Sequence, residues 1–84
     1  MKIKEVIIYT NPFCMPCIWV KNWLDSKKIN YAEKVIVDNE ENFNELKTLN
    51  SEGTPTIRVS YEDGTEEIII GYLVDKLEKV FHIK

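Results

Sequence analysis

A chain of 84 residues has room for one domain with a modest core, near the lower size at which a protein folds without staples or a metal. Apolar residues make up 44% and charged residues 30%, which excludes extended disorder, and the net charge of -3, with both signs interspersed, leaves no basic footprint for nucleic acid or an anionic membrane. The apolar runs fall far below the roughly 20 residues needed to span a bilayer, and "KIKEVIIYT" after Met1 lacks a signal-peptide core, so a cytoplasmic protein with mostly reduced cysteines is expected.

In chain order, "EVIIYT" (Glu5 to Thr10) is β-branched and aromatic, bounded by Asn11 and Pro12, and reads as a buried strand. From Pro16 the period changes: "PCIWVKNWLDSKK" sets Cys17, Val20 and Leu24 on one helical stripe, with Pro16 in a first turn where its missing N–H costs nothing. "YAEKVIVD" (Tyr31 to Asp38) reads as a second strand. "NEENFNELKTLN" (Asn39 to Asn50) reads as a helix with an acidic start and with Phe43, Leu46 and Leu49 turned inward.

Two strands joined through a helix make parallel neighbours. "TIRVSY" and "EEIIIG" flank "EDGT", where Asp63-Gly64 signals a tight antiparallel hairpin. A last amphipathic helix, "VDKLEKVFHI", carries Val74, Leu77, Val80 and Phe81 inward. The expected fold is α/β in the order β-α-β-α-β-β-α, one domain over residues 1–84, with no repeat or linker to divide it.

The only two cysteines, Cys14 and Cys17, stand three residues apart where the first strand gives way to the helix. A disulfide closing so short a loop restricts the unfolded chain very little, so its use is chemical. C-x-x-C at a strand-to-helix junction in a βαβ context is the redox form of the motif. One helical turn brings the sulfurs within bonding reach and leaves the first at the helix N-terminus, where free N–H groups and the helix dipole favour thiolate. Cys14 is therefore the expected nucleophile and Cys17, one turn inside, the resolving thiol.

C-x-x-C is also half of many zinc sites, which want four ligands, and here only His82 and carboxylates stand beyond the cysteines. Two unrelated core cysteines are a further reading, since free Cys packs as a small apolar group.

"SEGTPTIRV" sets Pro55 directly before a strand, where only a first or edge position tolerates it. With the cysteine pair, Thr54-Pro55 resembles the thioredoxin superfamily, whose cis-proline lies opposite the C-x-x-C and whose preceding backbone pairs with substrate. The resemblance implies a thioredoxin-like fold, a four-stranded mixed sheet flanked by three helices.

Within the superfamily the chain is similar to the glutaredoxins and to the glutaredoxin-like redoxins that serve ribonucleotide reductase. The similarity runs through "CMPC", "GTP", "EDGT" and "GYLVDKLEKV". It implies a thiol-disulfide oxidoreductase with substrate contacts from Pro12, Phe13, Met15, Pro16, Thr54, Pro55, Gly71, Tyr72 and Asp75, and with no bound cofactor. A disulfide-bearing protein would be the substrate, glutathione or a thioredoxin-reductase-like flavoenzyme the reductant, and the monomer the working unit.

Asn11 stands where glutathione-using relatives carry a basic residue, Met15-Pro16 replaces Pro-Tyr, and Gly71-Tyr72 replaces a glycine pair, while Asp75 is retained. The alternative reading is a non-catalytic metal module, holding zinc or an iron-sulfur cluster bridged between two subunits.

Three side chains have two readings each. Trp23, beside Leu24, is expected in the core. Trp19 falls off the buried stripe and either packs on Trp23 or on lysine side chains or forms a docking surface. Lys21 either assists a thiolate or is a solvated charge, and Phe13 either shields the nucleophile or packs its loop. Tyr9 is expected in the core with its hydroxyl toward the surface.

Overall fold

The computed structural model describes residues 2–51 and 53–82. Its elements are β1 (Ile3–Thr10), α1 (Met15–Ser26), β2 (Ala32–Val35), α2 (Glu40–Thr48), β3 (Thr56–Tyr61), β4 (Glu66–Ile70) and α3 (Val74–Phe81). The strands form one mixed sheet in the order β2-β1-β3-β4. β1 runs parallel to β2, and β3 runs antiparallel to both β1 and β4. The expected element order and the thioredoxin-like α/β fold are both present.

The apolar run of β1 is continuous because helices cover both of its faces. Val6 and Ile8 point to one side, where they join Ile57, Val59 and Ile69 beneath Val20 and Leu24 of α1 and Leu77 and Val80 of α3. Ile7 and Tyr9 point to the other side and meet Leu46 of α2. α1 therefore carries the cysteine pair on a helix whose inner stripe is anchored in the larger core.

Element ends depart from the sequence reading for local reasons. α1 stops at Ser26, two residues before Lys28. Lys28 adopts left-handed backbone (φ 58), with Lys28 N–H donating to the Asp25 carbonyl at 3.1 Å and Ile29 N–H to Leu24 at 3.0 Å. That is a Schellman stop made without its usual glycine. β2 ends at Val35 instead of Asp38 because its partner β1 ends at Thr10, whose carbonyl takes the Ile36 N–H at 3.0 Å. Asp38 then turns through φ 56, and the Asn39 side chain caps α2 by accepting the Asn42 N–H at 2.9 Å.

The tight antiparallel hairpin expected at Asp63-Gly64 is present, with a three-residue loop. Gly64 N–H donates to the Tyr61 carbonyl, Tyr61 N–H donates to Thr65, and Gly64 takes φ +91, the left-handed position such loops need. Ile83, to which the helical pattern of α3 extends, lies outside the described residues.

Phe43 is a correction: it is 38% exposed and lies under the Lys47 ammonium, 5.4 Å from its ring centroid, instead of facing the core. Leu46 alone of α2 is fully buried, and Leu49 packs partly against it. With one short helix on that side of the sheet, the remaining surface is held by charge.

Tyr9, fully buried, donates its hydroxyl to Glu45, whose two oxygens also accept from Lys34 Nζ at 2.9 Å each. The Tyr9 hydrogen bond, then Lys34, holds the Glu45 carboxyl below the ordinary carboxylate range. Burial, reinforced by Glu45, pushes the Tyr9 phenol up to about 12.

The depressed Glu45 stabilises the fold above the unfolded carboxylate pKa, and that contribution is lost as pH falls through the folded value. The raised Tyr9 stabilises below the unfolded phenol value of about 10 and loses its contribution as pH rises toward about 12. Tyr9→Phe is expected to cost roughly 1 kcal/mol at neutral pH and to flatten the alkaline limb. Urea unfolding at pH 7 and about pH 11 measures both, and an alkaline limb identical to that of the parent protein would contradict the assignment.

Candidate functional site

Sheet register decides which loops meet. Tyr9 of β1 pairs with Thr56 of β3, and Thr56 pairs in turn with Ile70 of β4. The segment after β1, the segment before β3 and the segment after β4 therefore share one end of the sheet. They carry Pro12 to Cys17, Thr54-Pro55, and Gly71-Tyr72, so register brings these candidate residues together. Asp75 lies exposed in the first turn of α3.

The turn into α1 is built from Asn11. Its side-chain oxygen accepts the Phe13 N–H at 2.9 Å, and its carbonyl accepts the Cys14 N–H at 3.0 Å. This leaves Cys14 extended (φ -101, ψ 108) as the N-cap of α1, with Met15 and Pro16 opening the helix. The cap acceptor is the cysteine sulfur itself: Cys17 N–H donates to Cys14 Sγ at 3.1 Å. Cap positions usually hold an oxygen from Ser, Thr, Asp or Asn, so here the helix N-terminus is turned onto a sulfur. The two cysteines are joined as a disulfide, with Cα atoms 5.3 Å apart. Cys14 is half-buried, whereas Cys17 is 1% exposed.

At the same end of the sheet lies the Thr54-Pro55 peptide, which is cis. Pro55 is buried, and its carbonyl accepts the Gly71 N–H at 2.8 Å, tying the segment after β4 to the proline. Gly71 has φ +94, a conformation that an ordinary L-residue adopts only under strain, which accounts for glycine at the exit of β4.

Two buried hydroxyls that the sequence reading did not single out hold this loop. Ser51 Oγ lies 2.8 Å from Thr56 Oγ1, and Thr56 donates to the Gly53 carbonyl at 2.7 Å. The sequence signal was the pair of hydroxyl residues bracketing "GTP".

The aromatic residues sort differently from expectation. Trp19 is 47% exposed and packs on Tyr72, ring centroids 5.9 Å apart, instead of on Trp23. Trp23 is only partly buried, against the core and Phe81. Phe13 is 90% exposed and so packs neither its loop nor the sulfur. Met15 is exposed as well.

Lys21 is engaged elsewhere: its Nζ bonds Glu33 at 3.0 Å, and Glu33 also accepts from Thr10 at 2.6 Å. The Thr10 hydroxyl foremost, then Lys21, holds the Glu33 carboxyl below its usual range. His82 is exposed at the C-terminal end of α3. Among the described residues no three His, Cys, Asp or Glu side chains converge as a metal site requires. No helix among them is long and apolar enough to cross a membrane.

Among curated proteins the chain is 38% identical over 64 residues to global transcriptional regulator Spx 2 of Bacillus anthracis. It is 37% identical over 62 residues to global transcriptional regulator Spx of Enterococcus faecalis. These matches take in 76% and 74% of this chain but only 43% and 41% of the regulators, so the chain spans less than half of their length.

The crystal structure of the thioredoxin-like protein BC3987 superposes with a TM-score of 0.77 at 30% identity, covering 90% of this chain and 99% of that one. The glutaredoxin of Archaeoglobus fulgidus shares the fold, with a TM-score of 0.71 at 19% identity over 92% of this chain and 85% of its own. The model of the family described as Glutaredoxin matches residues 6–62, a span that includes both cysteines and the cis-proline. A match over more than half of the chain places this protein in the glutaredoxin family, where its bonded C-x-x-C pair gives it a thiol-disulfide redox role.

Proposed function

We propose that this protein is an oxidoreductase that reduces disulfides in proteins, or mixed disulfides with glutathione, through a two-thiol cycle. The observation that carries the reading is the N-cap sulfur: Cys14, half-buried and hydrogen-bonded to the Cys17 N–H, beside a Cys17 that solvent does not reach. The same N–H stabilises negative charge on Cys14 once the pair is reduced, which favours the attacking thiolate.

Cys14 Sγ attacks one sulfur of the substrate disulfide. A Cys14–substrate bond forms, the substrate S–S bond breaks, and the expelled thiolate takes up a proton. Cys17, having lost its proton, then attacks Cys14 Sγ and expels the second substrate sulfur. Two electrons have passed to the substrate, and the Cys14–Cys17 disulfide seen here is the product. Glutathione or a thioredoxin-reductase-like flavoenzyme would return it to the dithiol. Thr54-Pro55, at the same end of the sheet as the cysteines, would present its backbone to the incoming chain.

The test is covalent capture. With Cys17→Ser the second attack is lost, so a disulfide substrate should remain bonded to Cys14; failure to capture any substrate sinks the cycle.

Similarity to transcriptional regulators favours a second reading, in which opening and closing of the same disulfide governs a protein contact. Catalytic turnover of disulfide in the presence of a reductant supports the first reading. A single stoichiometric exchange without turnover supports the second.

A further inference from the structure

The rim of the disulfide is apolar. Phe13, Met15, Ile18, Trp19 and Leu73 are all exposed, and Tyr72 packs against Trp19 to join α1 to the segment that leads into α3. Exposed apolar side chains gathered at one place mark an interaction surface, and aromatic residues dominate such surfaces energetically. Because Phe13 and Met15 flank Cys14 in the chain and Ile18 and Trp19 follow Cys17, an occupant that uses the site must bring a disulfide or thiol to Cys14.

Charge narrows the occupant further. In residues 11–19, 53–56 and 71–76 the only charged side chains are Asp75 and its neighbour Lys76. Lys21, the next cation along α1, is taken by Glu33, and the Asn11 side-chain oxygen is taken by the Phe13 N–H. Glutathione carries more carboxylates than ammonium groups and would meet a chain of net charge -3 whose segments at this end of the sheet hold one cation, Lys76. Desolvating those carboxylates without partners is unfavourable. An uncharged, apolar stretch of polypeptide loses nothing of that kind.

We propose that the substrate class is a polypeptide disulfide flanked by apolar side chains, held by the wall that Trp19 and Tyr72 form, and that glutathione disulfide is poorly used. This rests on the exchange at Cys14 proposed above and narrows its two substrate classes to disulfides in proteins over mixed disulfides with glutathione. Trp19 and Tyr72 act here as specificity residues that touch the substrate chain and not the reacting sulfurs.

The experiment mixes the reduced protein with four disulfides and follows exchange by quenched mass spectrometry. They are hydroxyethyl disulfide as a small neutral reference, glutathione disulfide, and two peptides of equal length whose cysteine, capped with mercaptoethanol, is flanked by Leu and Phe or by Glu. Each rate is divided by that of dithiothreitol on the same disulfide, which removes differences in leaving-group reactivity. The apolar-flanked peptide is expected to react at least about tenfold faster than the acidic one and than glutathione disulfide. Trp19→Ala is expected to lower that preference about fivefold, the scale on which aromatic anchors act. Leu73→Gln probes the same rim if Trp19→Ala does not fold.

Equal normalised rates on the two peptides, or glutathione disulfide matching the apolar one, overturn the proposal. Retention of the full preference in a folded variant removes the role of the wall and overturns it equally. A protein inert even to hydroxyethyl disulfide contradicts the exchange at Cys14 itself, a result distinct from lost selectivity.

Discussion

Cys14→Ser is expected to bring disulfide reduction down to the uncatalysed background, a loss of at least about a thousandfold. The serine oxygen fits the N-cap and accepts the Cys17 N–H as well as sulfur does, so the helix and the fold survive. What disappears is the nucleophile. A serine hydroxyl is scarcely ionised at neutral pH and forms no bond to sulfur that a second thiol could resolve. Cys17 does not substitute, because it is sealed from solvent one turn inside α1. The assay couples reduction of hydroxyethyl disulfide to NADPH consumption through glutathione with glutathione reductase or through thioredoxin reductase. Activity within about tenfold of the parent protein would remove Cys14 from the chemistry.

The largest effect on stability is expected from Leu24→Ala. Leu24 is fully buried on the inner face of α1, in the same cluster as Ile8, Ile57 and Leu77. Truncating a leucine there removes the burial of its methyl groups and leaves a cavity that β-strands on one side and α3 on the other close only in part, at a cost of roughly 2–5 kcal/mol. A domain of this size has about 5–15 kcal/mol in all, so the variant should unfold at least about 10 °C lower. Because Cys17, Val20 and Leu24 share one stripe of α1, loosening Leu24 also loosens the turn that holds the disulfide. Urea and thermal unfolding measure the loss, and a decrease below about 1 kcal/mol would mean that α1 is not anchored through this residue.

Features that depend on one segment's own chemistry were legible in the sequence. The β-branched and aromatic run of β1 marked a buried strand. Pro16 and the spacing of Cys17, Val20 and Leu24 marked α1, and Asp63-Gly64 marked the hairpin. The cysteine pair and Thr54-Pro55 pointed to the end of the sheet where register brings them together.

Features that depend on a partner elsewhere in the chain were not legible. β2 ends where β1 offers its last carbonyl, a fact held in Thr10 and not in "YAEKVIVD". α1 ends on a left-handed Lys28, which carries none of the glycine signal for such a stop. Phe43 occupies a helical position that would face inward if α2 were fully covered, but Leu46, with Leu49 partly beside it, makes the contact with Ile7 and Tyr9. Trp19 takes Tyr72 as its neighbour because β4 delivers the segment after Gly71 to the side of α1, a meeting that no spacing within the helix encodes.

The central claim is that a substrate sulfur becomes bonded to Cys14 and is released by Cys17. The most direct measurement is peptide-mapping mass spectrometry of reduced Cys17→Ser after incubation with a disulfide-bearing polypeptide, with excess thiol blocked before digestion. The account predicts one substrate chain per protein, disulfide-linked at Cys14, and rapid turnover without accumulation in the parent protein. No adduct at Cys14, or the same adduct persisting when both cysteines are present, would contradict it.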